Sequence, residues 1–261
     1  MSQLPTIKEL FAAGAHFGHR KNRTDARARD YVFTYRNRVS VINLEKTLES
    51  LKKALDFVEV EAAKGSTILF VGTKLQGKDL IKKYSTSISQ PYIVERWPGG
   101  LVSNFDVVIK SIRKMVKTEQ DIADNKFEHL KKKEILKIQK DLDKSKKIFG
   151  GLSMMEKVPN IILVIDAKHE TNAVKEAIGA KIPTIGISDT NSNPTVLTYP
   201  IVANDDSHDT IELILKLITE TYSKNFKPIA PAQSDVEQRV DAKTQADRDS
   251  KPAKPKASKE K

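Results

Sequence analysis

The stretch Ile68-Leu-Phe-Val-Gly-Thr-Lys-Leu-Gln-Gly-Lys-Asp79 decides the fold of this chain. It opens with four apolar residues, which is typical of a strand that is covered on both faces. A Gly-Thr pair ends the run, and a helical pattern over residues 74–84 follows. A strand that turns directly into a helix indicates an α/β unit, in which the strands run parallel.

Five further apolar runs surround that stretch. They lie at 39–42, 92–94, 161–165, 184–187 and 199–202. Helical patterns occupy 44–64, 171–181 and 206–222, and Gly65 is placed to end the first of them. This alternation of strands and helices predicts an α/β fold with a doubly wound parallel sheet.

The middle of the chain interrupts the alternation with two heptad patterns. Apolar residues recur at heptad spacing from Phe105 to Val116, and again from Leu130 to Phe149. A polar join near 119–127 separates them, so the two helices are predicted to fold back as an antiparallel coiled-coil hairpin. The lysines on the other faces of these helices have two interpretations, a solvated surface or direct RNA contact.

The sequence changes character again at Pro228, because almost no large apolar residues follow it. Such a segment cannot bury enough surface to offset its ordering entropy, and we expect disorder. The predicted organisation is therefore an α/β domain at 1–103 and 150–227, a coiled-coil hairpin inserted at 104–149, and a disordered basic tail at 228–261.

The composition narrows the class of protein. The 261 residues carry a net charge of +11 and contain no cysteine. A basic excess of this size favours a polyanionic partner, usually nucleic acid. The absence of cysteine excludes disulfides and thiolate chemistry and fits a reducing compartment. No membrane is expected as a partner, because no apolar stretch reaches the length of a membrane helix.

Residues 72–79 also resemble the phosphate-loop pattern G-x-x-x-x-G-K-[ST], with matches at Gly72, Gly77 and Lys78. Residues 161–166 have the form of the acid-terminated strand that accompanies such loops. The pattern fails at Asp79, because a magnesium nucleotide needs a hydroxyl ligand there and a carboxylate adds negative charge beside the phosphates. A nucleotide-dependent enzyme is therefore the competing hypothesis.

The preferred interpretation assigns the same residues to the fold alone. Gly72 and Thr73 make the turn from strand to helix, with Thr73 as the helix N-cap. Gly77 and Lys78 then lie on ordinary helix surface. No catalytic residues are predicted.

The densest chemical signal lies between Ala15 and Arg38, where seven basic residues face two acids and aromatic residues are interleaved. Arginine pairs with phosphates and stacks on bases, and aromatic rings stack as well. Alternation at Tyr31, Phe33 and Tyr35 also fits a short strand with core residues, so their role stays open. The predicted RNA-binding residues are Arg20, Lys21, Arg23, Arg27, Arg29, Arg36, Arg38, Lys74, Arg96 and Trp97, although Trp97 also fits a packing anchor.

A metal site is a further hypothesis, formed by His19 with Asp189, Asp205 and Asp206. The three acids follow predicted strands, and the carboxyl ends of parallel strands gather at one edge of a sheet. Histidine and carboxylate would suit a structural zinc or magnesium ion, although no cofactor is expected to be required. In the alternative, Asp206 caps the last helix, and Asp189 closes a turn with Asn191.

Longer stretches carry a resemblance to a known family. They are A-G-A-H-F-G-H-R (13–20), Y-V-F-T-Y-R-N (31–37), V-I-N-L-E-K-T (41–47), I-L-F-V-G-T-K (68–74), Q-P-Y-I-V-E-R-W-P-G-G-L-V-S-N-F (90–105), V-I-D-A-K-H-E-T-N-A-V-K-E-A (164–177), I-P-T-I-G-I-S-D-T-N-S-N-P (182–194) and Y-P-I-V-A-N-D-D (199–206). In this order, over about 225 residues, they resemble the universal small-subunit ribosomal protein family numbered two, in its bacterial form.

The resemblance implies a flavodoxin-like α/β domain that carries a protruding coiled-coil hairpin. It implies a cytoplasmic, ribosome-bound protein between the head and body of the small subunit, which binds small-subunit rRNA and supports translation. It also implies neighbouring small-subunit proteins as partners, with help in docking the large mRNA-binding protein numbered one. The family has no catalysis of its own.

Overall fold

A computed structural model describes residues 4–127 and 130–227 of the chain. Within them the helices are α1 Ile7–Ala12, α2 Leu44–Ala63, α3 Leu75–Ser87, α4 Phe105–Ala123, α5 Lys132–Phe149, α6 Thr171–Gly179 and α7 His208–Asn225. The strands are β1 Phe17–Arg20, β2 Val32–Arg36, β3 Val39–Ile42, β4 Ile68–Val71, β5 Tyr92–Ile93, β6 Ile161–Ile165, β7 Thr184–Ser188 and β8 Tyr199–Val202.

Five strands form one parallel sheet in the order β5-β4-β6-β7-β8. Numbered along the chain this order is 2-1-3-4-5, as in flavodoxin-like folds. Alternate residues of β6 face opposite sides, so Leu163 packs with α2, α3 and α7, whereas Ile162 packs with α4 and α6. The predicted α/β sheet with helices on both faces is therefore confirmed.

The run at 39–42 belongs to a different sheet from the one predicted for it. It forms the middle strand β3 of a three-stranded antiparallel sheet, in the order β1-β3-β2. The physical reason is the two-residue turn between β2 and β3, where Asn37 and Arg38 have φ of 50° and 64°. Two successive left-handed residues make a tight hairpin turn, and a hairpin pairs its strands antiparallel.

The interpretation of Gly77 as helix surface is wrong. Gly77 is buried in α3, and a Cβ at this position would lie 3.0 Å from Cδ1 of Ile165. The glycine lets α3 approach β6 closely. Lys78 is half-buried as well, with its Nζ 3.1 Å from Oε2 of Glu95.

Helices α4 and α5 occupy the region of the predicted hairpin. Val108, Ile109 and Ile112 of α4 pack into the core beside the parallel sheet. Further along, Nζ of Lys146 lies 2.6 Å from Oε1 of Glu119 and joins the two helices. The coiled coil and the domain boundaries at 104 and 149 stay predictions.

Two further predictions concern the basic tail and membrane-spanning helices. The basic tail predicted at 228–261 lies outside the described residues. Among the helices that the structure describes, none is long and apolar enough to cross a membrane.

Candidate functional site

The antiparallel sheet β1-β3-β2 and the turns between its strands carry the predicted basic segment. All seven basic side chains of this segment are exposed. They are Arg20, Lys21, Arg23, Arg27, Arg29, Arg36 and Arg38. The structure therefore gathers them on one small sheet and leaves them accessible, and we call this region the basic sheet.

Aromatic side chains lie among these cations. Phe33 on β2 is 73% exposed and Phe17 on β1 is 55% exposed. Tyr35 is exposed too, and Nζ of Lys21 lies 5.2 Å from the centre of its ring. Tyr31 is only half-buried. Phe33 and Tyr35 are therefore surface residues, and their predicted alternative role in the core does not describe them.

The basic sheet is fixed to the loop that follows β7. The backbone amide of His19 donates to Oγ1 of Thr190 at 2.9 Å, and the amide of Asp25 donates to the Thr190 carbonyl at 2.8 Å. Gly18 lies so close to this loop that a Cβ would be 2.8 Å from Oγ1 of Thr190 and from Oγ of Ser40. The glycine of H-F-G-H is thus required for close packing against the α/β domain.

The three acids predicted from the strand ends, Asp189, Asp205 and Asp206, lie at the carboxyl edge of the parallel sheet, as does Asp166 after β6. His19 approaches two of them, with Nδ1 2.7 Å from Oδ2 of Asp189 and Nε2 3.7 Å from Oδ2 of Asp206. The hydrogen bond to Asp189 raises the pKa of His19. The ligand atoms of these three residues lie within 4.8 Å of one another. Three of the four predicted metal ligands, His19, Asp189 and Asp206, therefore lie close to one another.

Asp205 is not part of this group of ligand atoms and binds Lys74 instead. Nζ of Lys74 lies 2.6 Å from Oδ1 of Asp205, 2.6 Å from Oδ1 of Asp206 and 3.4 Å from Oδ2 of Asp166. Asp205 is fully buried, and burial with the nearby Asp166 charge raises its pKa to about 7. Burial lowers the pKa of Lys74, but its hydrogen bonds to Asp205 and Asp206 outweigh this and raise it.

These contacts argue against Lys74 as an RNA ligand. Its ammonium is held by three carboxylates and its side chain is only 17% exposed. The phosphate contact predicted for Lys74 stays a prediction, which this geometry does not favour. We call Lys74, Asp166, Asp205 and Asp206 the lysine cluster.

The turn that resembles a phosphate loop lies at the crevice between β4 and β6, where flavodoxin-like folds bind their ligands. Here Oε1 of Glu170, a residue that is 4% exposed, accepts hydrogen bonds from the amide and Oγ1 of Thr73, both at 2.7 Å. The backbone amide that a phosphate would need is thus occupied by a carboxylate of the chain. Thr73 is not the N-cap of α3 as predicted, because α3 starts after Lys74 without a side-chain cap.

Trp97 is held inside the protein. It is 7% exposed, and its Nε1 donates to Oε1 of Glu176 at 2.9 Å. The same carboxylate accepts the amides of Gly100, Val102 and Ser103 at 2.8, 3.1 and 3.3 Å. This geometry favours the packing alternative for Trp97 over base stacking. The neighbouring Arg96 is exposed.

Sequence reasoning missed Glu170 and Glu176, although both lie in the quoted stretch 164–177. Each binds a loop about 75 to 100 residues earlier in the chain. A local spacing pattern cannot show such partners. The alternative for Asp206 as a helix cap is also wrong, because Ser207 caps α7.

A cleft of about 510 Å³ lies between the basic sheet and the carboxylates. Its walls combine Arg20 and Arg23 with His19, Asp189 and Asp206. Cations and acids thus face each other across this space, so it suits a hydrated ion or a polar group better than an apolar ligand.

Known proteins of one family match most of this chain. The family described as ribosomal protein S2 matches residues 10–225. The small ribosomal subunit protein uS2 of Treponema pallidum (strain Nichols) is 39% identical over 213 residues, which cover 82% of this chain and 73% of that protein.

Two further relatives carry the same name. The protein of Borreliella burgdorferi (strain ATCC 35210) is 37% identical over 224 residues, covering 86% of each chain. That of Opitutus terrae is 40% identical over 213 residues, covering 82% of this chain and 70% of the relative. The chain therefore belongs to the ribosomal protein S2 family.

Proposed function

We propose that the basic sheet binds small-subunit ribosomal RNA. Membership of the family makes the chain a structural, non-enzymatic constituent of the bacterial small ribosomal subunit, which works in translation on cytoplasmic ribosomes. Its association with the subunit and the RNA of that subunit follows from the same membership. The proposal adds the surface of the chain that contacts the RNA.

The observation that carries this proposal is the exposure of all seven basic side chains on one anchored sheet. Arginine forks match phosphate oxygens, and the exposed rings of Phe33 and Tyr35 offer faces for unstacked bases. Because the hydrogen bonds to Thr190 fix the sheet to the α/β domain, the cations are positioned before the RNA arrives. Preorganisation lowers the entropy that binding has to overcome.

A double charge reversal tests this surface. Arg23→Glu with Arg27→Glu is expected to weaken binding to small-subunit rRNA and to lower the occupancy of the protein in sedimented small subunits. Each lost phosphate contact should lower the slope of log affinity against log salt by about 1, hence about 2 for the pair. Filter binding over a salt series gives the slope.

The control carries the same change of charge on another surface. Lys52→Glu with Lys53→Glu alters two exposed lysines of α2. It is expected to keep a slope closer to that of the parent chain. Equal losses in the two double variants would remove the basic sheet from the RNA-binding surface.

We also propose that the chain sits between head and body of the subunit and helps to dock the large mRNA-binding protein numbered one. The exposed rings of Phe11 and Phe17 support a protein contact, because aromatic side chains are enriched in the buried cores of protein interfaces. The sedimented subunits of the charge-reversal experiment provide the test. Subunits that lack this chain are expected to lack the mRNA-binding protein too, and its normal presence would contradict the docking role.

A divalent cation is proposed between His19 and Asp206. Asp189 occupies Nδ1 of His19 and so orients the ring, and a metal at Nε2 would replace the contact that Nδ2 of Asn191 makes there at 3.0 Å. An ion with bonds of about 2.1 Å fits between Nε2 and Oδ2 of Asp206, which are 3.7 Å apart. Asp205 is not in this ligand set, because Lys74 holds it. Lys74 also binds the other oxygen of Asp206, and its charge opposes a second cation.

Calorimetric titration of the full chain with zinc chloride, and separately with magnesium chloride, tests the ion site. His19→Gln and Asp206→Asn are each expected to abolish the binding that the parent chain shows. Asp209→Asn, on an exposed acid at the start of α7, is expected to leave it unchanged. A parent chain that binds neither ion at millimolar concentration would reject the site.

A further inference from the structure

A second cleft lies beside α6, at the margin of the basic sheet. It has a volume of about 380 Å³ and is enclosed by α6, the loop at 191–196 and the turn at 25–27. This size is within the range of pockets that hold small organic groups. The turn at 25–27 belongs to the basic sheet region and is fixed to the loop through the hydrogen bond from Asp25 to Thr190.

The floor of the cleft is apolar. Ala167 and Val174 are almost fully buried, and Val196 is half-buried beside them. Ile178 forms part of the rim and is 53% exposed, so its side chain still has apolar surface to bury. A flat apolar group could therefore enter the cleft and remove this surface from water.

The rim is cationic. Lys168 and Lys175 line it, together with the ion pair of Arg27 and Asp25. Arg27 donates from Nε and Nη2 to Asp25 at 3.0 and 3.1 Å, which balances the Asp25 charge and leaves further N–H donors of Arg27 for an external phosphate. The two lysines then leave a net positive charge around an apolar floor.

Asn191, a residue that lines the cleft, has one buried polar atom that lacks a partner among the described residues. Nδ2 of Asn191 lies 3.0 Å from Nε2 of His19, whereas the buried Oδ1 has no hydrogen-bond partner among the described residues. If the amide is turned the other way round, its nitrogen takes the same place without a partner. A buried amide atom without a partner costs free energy, and a ligand that offers a hydrogen bond would recover it.

We infer that this cleft holds a single nucleotide of ribosomal RNA that is turned out of its stack. The base lies on Ala167, Val174 and Val196, its edge meets the amide of Asn191, and Lys168 and Lys175 face the phosphates on either side. Recognition of an unstacked base combines a surface for its face, hydrogen bonds to its edge and cations for the flanking phosphates. In this cleft the surface for the face is aliphatic. The inference rests on the proposed RNA-binding function, because the same RNA must pass over the turn at 25–27.

The first test uses ultraviolet crosslinking of assembled small subunits that contain the full chain, followed by mass spectrometry of the peptides. Nucleotide adducts are expected on peptides within 169–181, in addition to adducts on 20–38. Adducts confined to 20–38 would overturn the nucleotide cleft and leave the proposed function intact. Adducts on neither segment would contradict both.

The second test separates an apolar slot from general charge attraction. Ile178→Ser should lower the affinity of the full chain for small-subunit rRNA about tenfold, since burial of the exposed half of an aliphatic side chain contributes on that scale. The salt slope should stay unchanged, because no charge is lost. Val60→Ser, at a valine of α2 that is 54% exposed, is the matched control. Equal affinities of the two variants would overturn the inference.

Discussion

Replacing Glu176 by alanine is expected to lower the free energy of unfolding by about 3 kcal/mol. The carboxylate accepts hydrogen bonds from Trp97, Gly100, Val102 and Ser103 and so holds the loop between β5 and α4. Its removal leaves the indole nitrogen of a buried Trp97 without an acceptor, and a buried donor without a partner is costly. Denaturant unfolding followed by the fluorescence of Trp97, the one tryptophan of the chain, measures the loss.

Glu176→Gln tests the contribution of the negative charge of Glu176, because glutamine keeps the size of the side chain but is neutral. Burial raises the pKa of Glu176, but the hydrogen bonds of this loop outweigh it and hold the pKa below its ordinary value. The charge of Glu176 therefore stabilises the fold above the unfolded pKa, and this contribution is lost as pH falls through the folded pKa. The free energy of unfolding of Glu176→Gln should therefore fall less than that of the parent chain as the pH is lowered.

The control for both variants is Glu49→Ala, at an exposed acid of α2. It is expected to change the unfolding curve little. If Glu176→Ala unfolded at the same denaturant concentration as this control, the loop would not depend on the carboxylate.

Lys74→Met is expected to lower the free energy of unfolding by about 3 to 5 kcal/mol at pH 8. Methionine keeps the length of the side chain but removes the charge that neutralises the buried Asp205 and its neighbours Asp166 and Asp206. Breaking a buried ion pair from one side is costly, because the remaining charge loses its compensation in a poorly hydrated place. Urea unfolding at several pH values measures the effect.

The pH dependence of this loss has a definite sign. The pKa of Asp205 is raised to about 7 in the fold, above its ordinary value of 3.8, and removal of Lys74 should raise it further. Between the unfolded and folded values the native state binds more protons, so stability falls as pH rises. The deficit of Lys74→Met should therefore be smaller at pH 5.5 than at pH 8.

Lys83→Met is the matched control, since Lys83 pairs with Glu212 at an exposed site. Exposed pairs contribute little, and we expect a small change without a marked pH trend. A deficit of Lys74→Met that did not vary with pH would contradict the role of Lys74 as the compensating charge.

Topology explains why parts of the site could be predicted from the sequence. Parallel strands place their carboxyl ends at one edge, so acids that follow β7 and β8 had to lie near each other. His19 joins them because Gly18 allows β1 to pack against the loop after β7. Charge density alone identified the basic sheet, because exposed arginines need no partner within the chain.

The remaining features depend on distances that no local pattern encodes. The sequence allows Lys74 to contact either a phosphate or an acid. The fold places it beside Asp166 after β6 and beside Asp205 and Asp206 after β8. The apolar run at 39–42 looks like its parallel neighbours, and only the Asn37-Arg38 turn reveals the hairpin. Glu170 and Glu176 bind loops far away in sequence, so their roles appear only when the fold brings these parts together.

The hydrogen bonds of Glu170 affect whether nucleotides in the cell can bind the turn after β4. Because its carboxylate is tethered a short way from the Thr73 amide, its effective concentration there far exceeds that of any free anion. Nucleotides in solution would have to compete with a ligand that cannot diffuse away. The stability of this chain should therefore be independent of the supply of ATP or GTP, because the amide that a phosphate would bind already has a partner within the fold.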